Sequence, residues 1–126
     1  MMTSWPERPR LFVDIETYSS EDIKAGAFKY MEAPDFEILL VAYAWNDGPV
    51  RILDMTDPQG HDEWPDIVSG LLDPDTVKVA HNSAFERGAF ARELGEYMPP
   101  EEWEDTMILA AMNGLPMSLD EAGAAL

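Results

Sequence analysis

Asp14 and Glu16 stand two residues apart at the end of the run Leu11-Phe12-Val13-Asp14-Ile15-Glu16. In an extended chain side chains alternate between faces, so residues i and i+2 project to the same side. Two carboxylates placed in this way can converge on one cation, and their oxygens suit hard divalent ions. A plainer explanation is that Asp-x-Glu only marks the wet end of a strand. Position weighs against it. The acids carry an apolar run on to the carboxyl edge of a sheet, where ligand sites of α/β proteins gather.

A second group, His81-Asn82-Ser83-Ala84-Phe85-Glu86-Arg87, follows the short apolar run Val77 to Ala80 and opens a helix. Glu86 would then be a third carboxylate, facing the first two. Here too a purely structural account exists, because Ser83 and Glu86 have the S-x-x-E spacing of a capping box, which would assign both to helix-start hydrogen bonds. His81, at a strand end, is expected to be a structural hydrogen-bonding residue and not a ligand.

The frame that must position these acids can be read from the chain. Residues 1 to 10 are a Pro-punctuated lead-in, and residues 11 to 126 form the domain. Three successive apolar residues, Leu11 to Val13, predict a central strand covered on both faces. Ile38 to Trp45 is a second strand, and the turn Asn46 to Pro49 leads into a third at Val50 to Met55, forming a hairpin with it. Ser20 to Glu32 contains Ile23, Phe28, Tyr30 and Met31 without a clean period, and is assigned as an irregular or partly helical connection.

Trp64, Ile67, Val68, Leu71 and Leu72 have the spacing of an amphipathic helix over Glu63 to Leu72, with Pro65 tolerated in its first turn. Asp73-Pro74-Asp75 ends it, and Val77 to Ala80 is a strand, giving a β-α-β crossover and a parallel pair. A helix follows from Ser83 to Leu94, stopped by Gly95. Trp103 to Asn113 reads as a very short strand running into a helix, and Ser118-Leu119-Asp120-Glu121 is a capping box that starts another. Only five residues follow it. The order is that of an α/β protein with a mixed sheet flanked by helices, the layout of ribonuclease H-like folds, here C-terminally incomplete.

Composition bounds the function. The 126 residues suffice for one modest core. With 25 acidic against 8 basic residues the net charge is −17, which argues against a surface that grips phosphate backbones through many Lys and Arg. The chain has no Cys, which excludes disulfides and thiolate metal sites and fits a reducing compartment. It has no signal-peptide pattern and no apolar run long enough to cross a bilayer, so a cytoplasmic protein without membrane contact is expected.

The two acidic groups, taken together, resemble a known family. Asp14-Ile15-Glu16-Thr17 is similar to the first exonuclease motif of the DnaQ-like (DEDD) superfamily, and Asn82-Ser83-Ala84-Phe85-Glu86 to its second, an Asn followed by an aromatic-acid pair. Asp105-Thr106 resembles an Asp-Thr that recurs downstream of the second. The stretches Asp14 to Tyr18, Tyr30 to Leu40, Asn82 to Arg87 and Trp103 to Leu119 look like the proofreading exonuclease domains of phage-type family A DNA polymerases, so the likeness runs over nearly the whole chain. Two departures stand out. Glu86 occupies a position where the superfamily usually has Asp, and no residue in hand corresponds to the last Asp of the third motif.

The resemblance implies a metal-dependent 3′-to-5′ exonuclease that releases nucleoside 5′-monophosphates from single-stranded or frayed DNA ends. It implies two Mg²⁺ or Mn²⁺ ions roughly 4 Å apart, with Asp14 bridging both, Glu16 assisting the water-activating ion and Glu86 facing the other. One of the two sites would be incomplete without the third-motif Asp, and the chain alone is expected to be weak or inactive. Thr17, Asn82 and Phe85 would contact the terminal nucleotide, and a polymerase domain is expected downstream. Two alternatives remain at this point: a non-catalytic acidic binding module or DNA mimic with the same fold, and an RNA-directed exonuclease of the same superfamily.

Overall fold

The computed structural model describes residues 8–57 and 62–112. Five strands form one mixed sheet: β1 (Arg10–Tyr18), β2 (Glu37–Trp45), β3 (Arg51–Asp54), β4 (Val77–Ala80) and β5 (Trp103–Asp105), in the order β3-β2-β1-β4-β5. The first strand is therefore the central one, as its apolar run predicts. β1 pairs antiparallel with β2, which pairs antiparallel with β3, while β4 and β5 run parallel to β1. The expected hairpin and parallel crossover are both present.

The helices are α1 (Ala27–Glu32), α2 (Trp64–Leu72), α3 (Ser83–Leu94) and α4 (Thr106–Met112), with 3₁₀ turns at Ile23–Ala25 and Pro100–Glu102. The stretch without a clean period thus resolves into a 3₁₀ turn and a short helix. Gly95 ends α3 as expected, in the left-handed region at φ 67°, with its N–H donating to the Ala91 carbonyl at 2.8 Å. The capping box at Ser118 to Glu121 lies outside the described residues.

One expectation needs correcting. β1 is not covered on both faces: Leu11 and Val13 are buried, whereas Phe12, Asp14 and Glu16 are exposed. Strand alternation explains the difference. Leu11 and Val13 point to the face covered by helices, and meet there Val41, Tyr43, Leu53, Ile67, Leu71 and Phe90. Phe12 points the other way, paired with Ala44 and Val79. Three apolar residues in a row thus supply one packed face and part of an open one.

Close packing on the covered face depends on Gly70. A Cβ at this position would lie 2.4 Å from the Trp45 indole and 3.1 Å from Leu11, so its lack of a side chain lets α2 come down onto β1 and β2. Beneath the sheet edge, Lys78 is fully buried, and its Nζ donates to the Asp73 carbonyl (2.7 Å) and to Glu102 (2.9 Å). Both bonds satisfy an ammonium that would otherwise be costly to bury.

Candidate nuclease site

The site is built where β1, β4 and β5 end together. Because β1 and β4 are parallel with Phe12 opposite Val79, chain leaving both strands emerges at the same edge. Asp14 and Glu16 continue β1 beyond that pair, and His81 and Asn82 continue β4. β5 brings Asp105 opposite Ala80 on the far side of β4. The crossover topology thus gathers residues from three strands and two helix starts that lie up to about ninety positions apart in the chain.

Asp105 explains how α3 begins. It accepts from the backbone N–H groups of Asn82, Ser83 and Met107, each at 2.9 Å, and from the Ser83 hydroxyl at 3.1 Å. One carboxylate thereby caps α3 and α4 at once. Burial would push its pKa up, but the backbone N–H bonds and the Ser83 hydroxyl outweigh that and hold it below the usual Asp value. Asn82 sits in the left-handed region at φ 64°, a conformation that Asn tolerates better than most residues.

The capping-box account of Ser83 and Glu86 therefore does not hold. Ser83 is the first helical residue and its polar atoms go to Asp105, which leaves Glu86 without that role. Glu86 is instead turned inward and buried, 4% exposed. Its pKa is pushed up to about 8, chiefly by burial, then by the negative charge of Asp14, with Asp105 adding to the effect and a bond from its own backbone N–H opposing it. Of the predicted ligands, Asp14 and Glu86 are thus close enough to repel one another electrostatically.

Glu16 shares the open face of β1 with Asp14. It lines a cleft of about 650 Å³ together with Thr17, Tyr30, Asn82 and Phe85. All three residues expected to contact a nucleotide therefore line one depression, next to one of the expected acids. Asp14 lines a neighbouring apolar opening with Phe12, Val79, His81 and Thr106. His81 has the structural role expected for it, with Nδ1 2.8 Å from the Thr106 hydroxyl.

Among the described residues no three His, Asp or Glu side chains close on one point as a metal cage. The acids present still fit a hard divalent cation in part. The donors are all oxygen, and the Asp14 and Glu86 carboxylates repel across a partly buried gap that positive charge would relieve. Such ions fill remaining coordination positions with water.

Sequence reasoning missed two features. Asp105 carries no visible task in the sequence, because its partners Asn82 and Ser83 lie 23 and 22 residues back. Tyr30 lies in a segment without a clean period, yet its hydroxyl is 2.8 Å from that of Thr17 and its ring centroid 6.1 Å from that of Phe85.

The sheet order, the helices and the acids at the carboxyl ends of neighbouring strands define an α/β domain with the ribonuclease H-like fold used by nucleases. Escherichia coli RNase D, an exoribonuclease involved in structured RNA processing, has a similar fold, with TM-score 0.58 and 24% identity over 90% of this chain and 26% of its own. A solved structure of a nuclease in its apo form gives TM-score 0.54 and 19% identity over 82% of this chain and 42% of that one. In sequence the chain is 43% identical over 117 residues to the DNA polymerase of Bacillus phage SP02, which covers 92% of this chain but 18% of the polymerase. The chain is therefore similar to one segment of a phage DNA polymerase and spans less than a fifth of its length. No family model matches it. No helix among the described residues is long and apolar enough to cross a membrane.

Proposed function

We propose that this domain is a 3′-to-5′ exonuclease that uses Mg²⁺ or Mn²⁺ to remove nucleotides from single-stranded or frayed DNA 3′ ends, as the proofreading part of a longer polymerase. The observation that carries this reading is Glu86: a glutamate buried in the first turn of α3, without a capping task, facing the charge of Asp14. Burying a carboxylate against a like charge is unfavourable unless something compensates it, and such arrangements gather at functional sites.

Asp14 and Glu86 would hold the cation between β1 and α3, with Glu16 reaching it from the same face of β1. Bound there, the ion would supply an activated water and neutralise charge that develops on the leaving 3′ oxygen. Glu86 must give up its proton before it can act as a ligand, so cation binding should strengthen as pH rises towards 8. Thr17, Asn82 and Phe85 would hold the terminal nucleotide in the adjoining cleft, Phe85 offering a ring face to a base.

A 3′-labelled single-stranded oligonucleotide, incubated with Mg²⁺, with Mn²⁺ and with chelator, tests the proposal. The full-length polymerase should release labelled mononucleotide only with cation, and Asp14→Ala should lower that rate by roughly 100-fold or more. If full-length protein does not cleave, or Asp14→Ala cleaves as wild type does, the nuclease reading is wrong. An acidic mimic would instead bind a basic partner in a salt-sensitive way and be indifferent to Asp14→Ala.

A further inference from the structure

The cleft beside Glu16 has an outer wall that neither acidic motif supplies. It comes from the Ile23–Glu32 connection, and its inner corner is Tyr30. The Tyr30 ring packs edge-on against Phe36, centroids 5.7 Å apart at 78°, and leans on Phe85 at 6.1 Å. Its hydroxyl lies 2.8 Å from the Thr17 hydroxyl. One side chain thus touches Thr17, next to Glu16 on β1, and Phe85, next to Glu86 on α3.

Thr17 needs such a tie. Between Glu16 and Thr17 the pairing with β2 slips by one residue, so that Glu16 faces Leu40 and Thr17 faces Ile38, with Leu39 left over. The slip returns Ile38 to the packed face, where it is buried, and it loosens the ladder just where β1 carries its second acid. A hydroxyl pair that is partly buried can fix the strand end there, because a polar atom shielded from water gains most from a partner that is already in place.

We infer that Tyr30 is a positioning residue, which acts through Thr17 and Phe85 to fix the strand end and the helix start on either side of the cleft at the separation that admits one unpaired nucleotide. The inference rests on the nuclease reading above and adds to it a residue outside both acidic motifs. The hydrogen bond and ring contacts of Tyr30 go to Thr17, Phe36 and Phe85, and its role needs no contact with the cation.

The test measures binding of a fluorescein-labelled oligo(dT) to the full-length polymerase, by anisotropy, in Ca²⁺ so that binding is read without cleavage. Tyr30→Phe keeps the ring and removes the hydroxyl, and should weaken binding roughly 3- to 10-fold while melting temperature stays close to that of wild type. Thr17→Val should do the same, Thr17→Ser should restore binding, and Tyr30→Phe with Thr17→Val should be no worse than either alone, because both remove the same bond. Glu86→Gln serves as the reference for the site itself. Should wild type and Glu86→Gln bind alike, the nuclease reading fails and takes the inference with it. Should Glu86→Gln weaken binding while Tyr30→Phe does not, or should the two hydroxyl losses add, the site stands and the role given to Tyr30 is wrong. If Tyr30→Phe melts below wild type, binding is compared well below its melting temperature, and binding equal to wild type there overturns the role given to Tyr30.

Discussion

Two carboxylates flank the start of α3 and their environments are opposite. Asp105, on the β5 side, is saturated by three backbone N–H groups and a hydroxyl, and is held below the usual Asp value. Glu86, on the β1 side, is buried against Asp14 and pushed up to about 8. The first belongs to the fold, since its charge is already used by the structure. The second is kept at a cost to the fold, and charges held at such a cost gather at functional sites. The same helix turn thus separates an acid spent on the fold from one that the proposed function would use.

That contrast can be broken by mutation. The largest effect is expected for Asp105→Ala, which strips the starts of two helices of their shared acceptor and should cost about 2 to 4 kcal/mol in chemical denaturation. Asp105→Asn should recover part of it. The sign with pH follows from the lowered pKa: Asp105 contributes stability above its ordinary value of 3.8, and that contribution is lost as pH falls through the folded value. Equal stability of wild type and Asp105→Ala would remove the structural half of the comparison.

Glu86→Gln should act in the opposite direction. With a raised pKa, Glu86 leaves stability intact below its ordinary value of 4.5, and stability is lost as pH rises from there through about 8. In cation-free buffer Glu86→Gln should therefore be more stable than wild type by about 1 to 3 kcal/mol at pH 8, with the difference shrinking towards pH 5. A variant less stable than wild type at pH 8 would place Glu86 with the structural acids.

Much of the fold was legible because many of its elements carry their signals within their own residues. Val77 to Ala80 and Ser83 to Leu94 match the predicted ranges, since a four-residue buried strand and a helix stopped by Gly95 announce themselves locally. Ser20 to Glu32 was not legible for the converse reason: Ile23 and Phe28 are exposed while Tyr30 and Met31 pack against the core, so no single period runs through it. Phe12 misled because its apolar character reports on an open sheet face and not on a second covered one. For the site, the pairs Asp14 with Glu16 and Asn82 with Glu86 stood out by type and spacing. What spacing could not reveal is that Ser83 is claimed by an acid 22 residues further on, which frees Glu86.

The proposed nuclease activity requires that Glu86 and Asp14 share a divalent cation. Calorimetric titration of the protein with Mn²⁺ at pH 7, repeated in buffers of different ionisation enthalpy, counts the protons that binding releases. Because Glu86 is largely protonated there and must ionise to act as a ligand, release should approach about one proton per ion, and Glu86→Gln should abolish it. Tight Mn²⁺ binding with no proton release, unchanged in Glu86→Gln, would contradict the account.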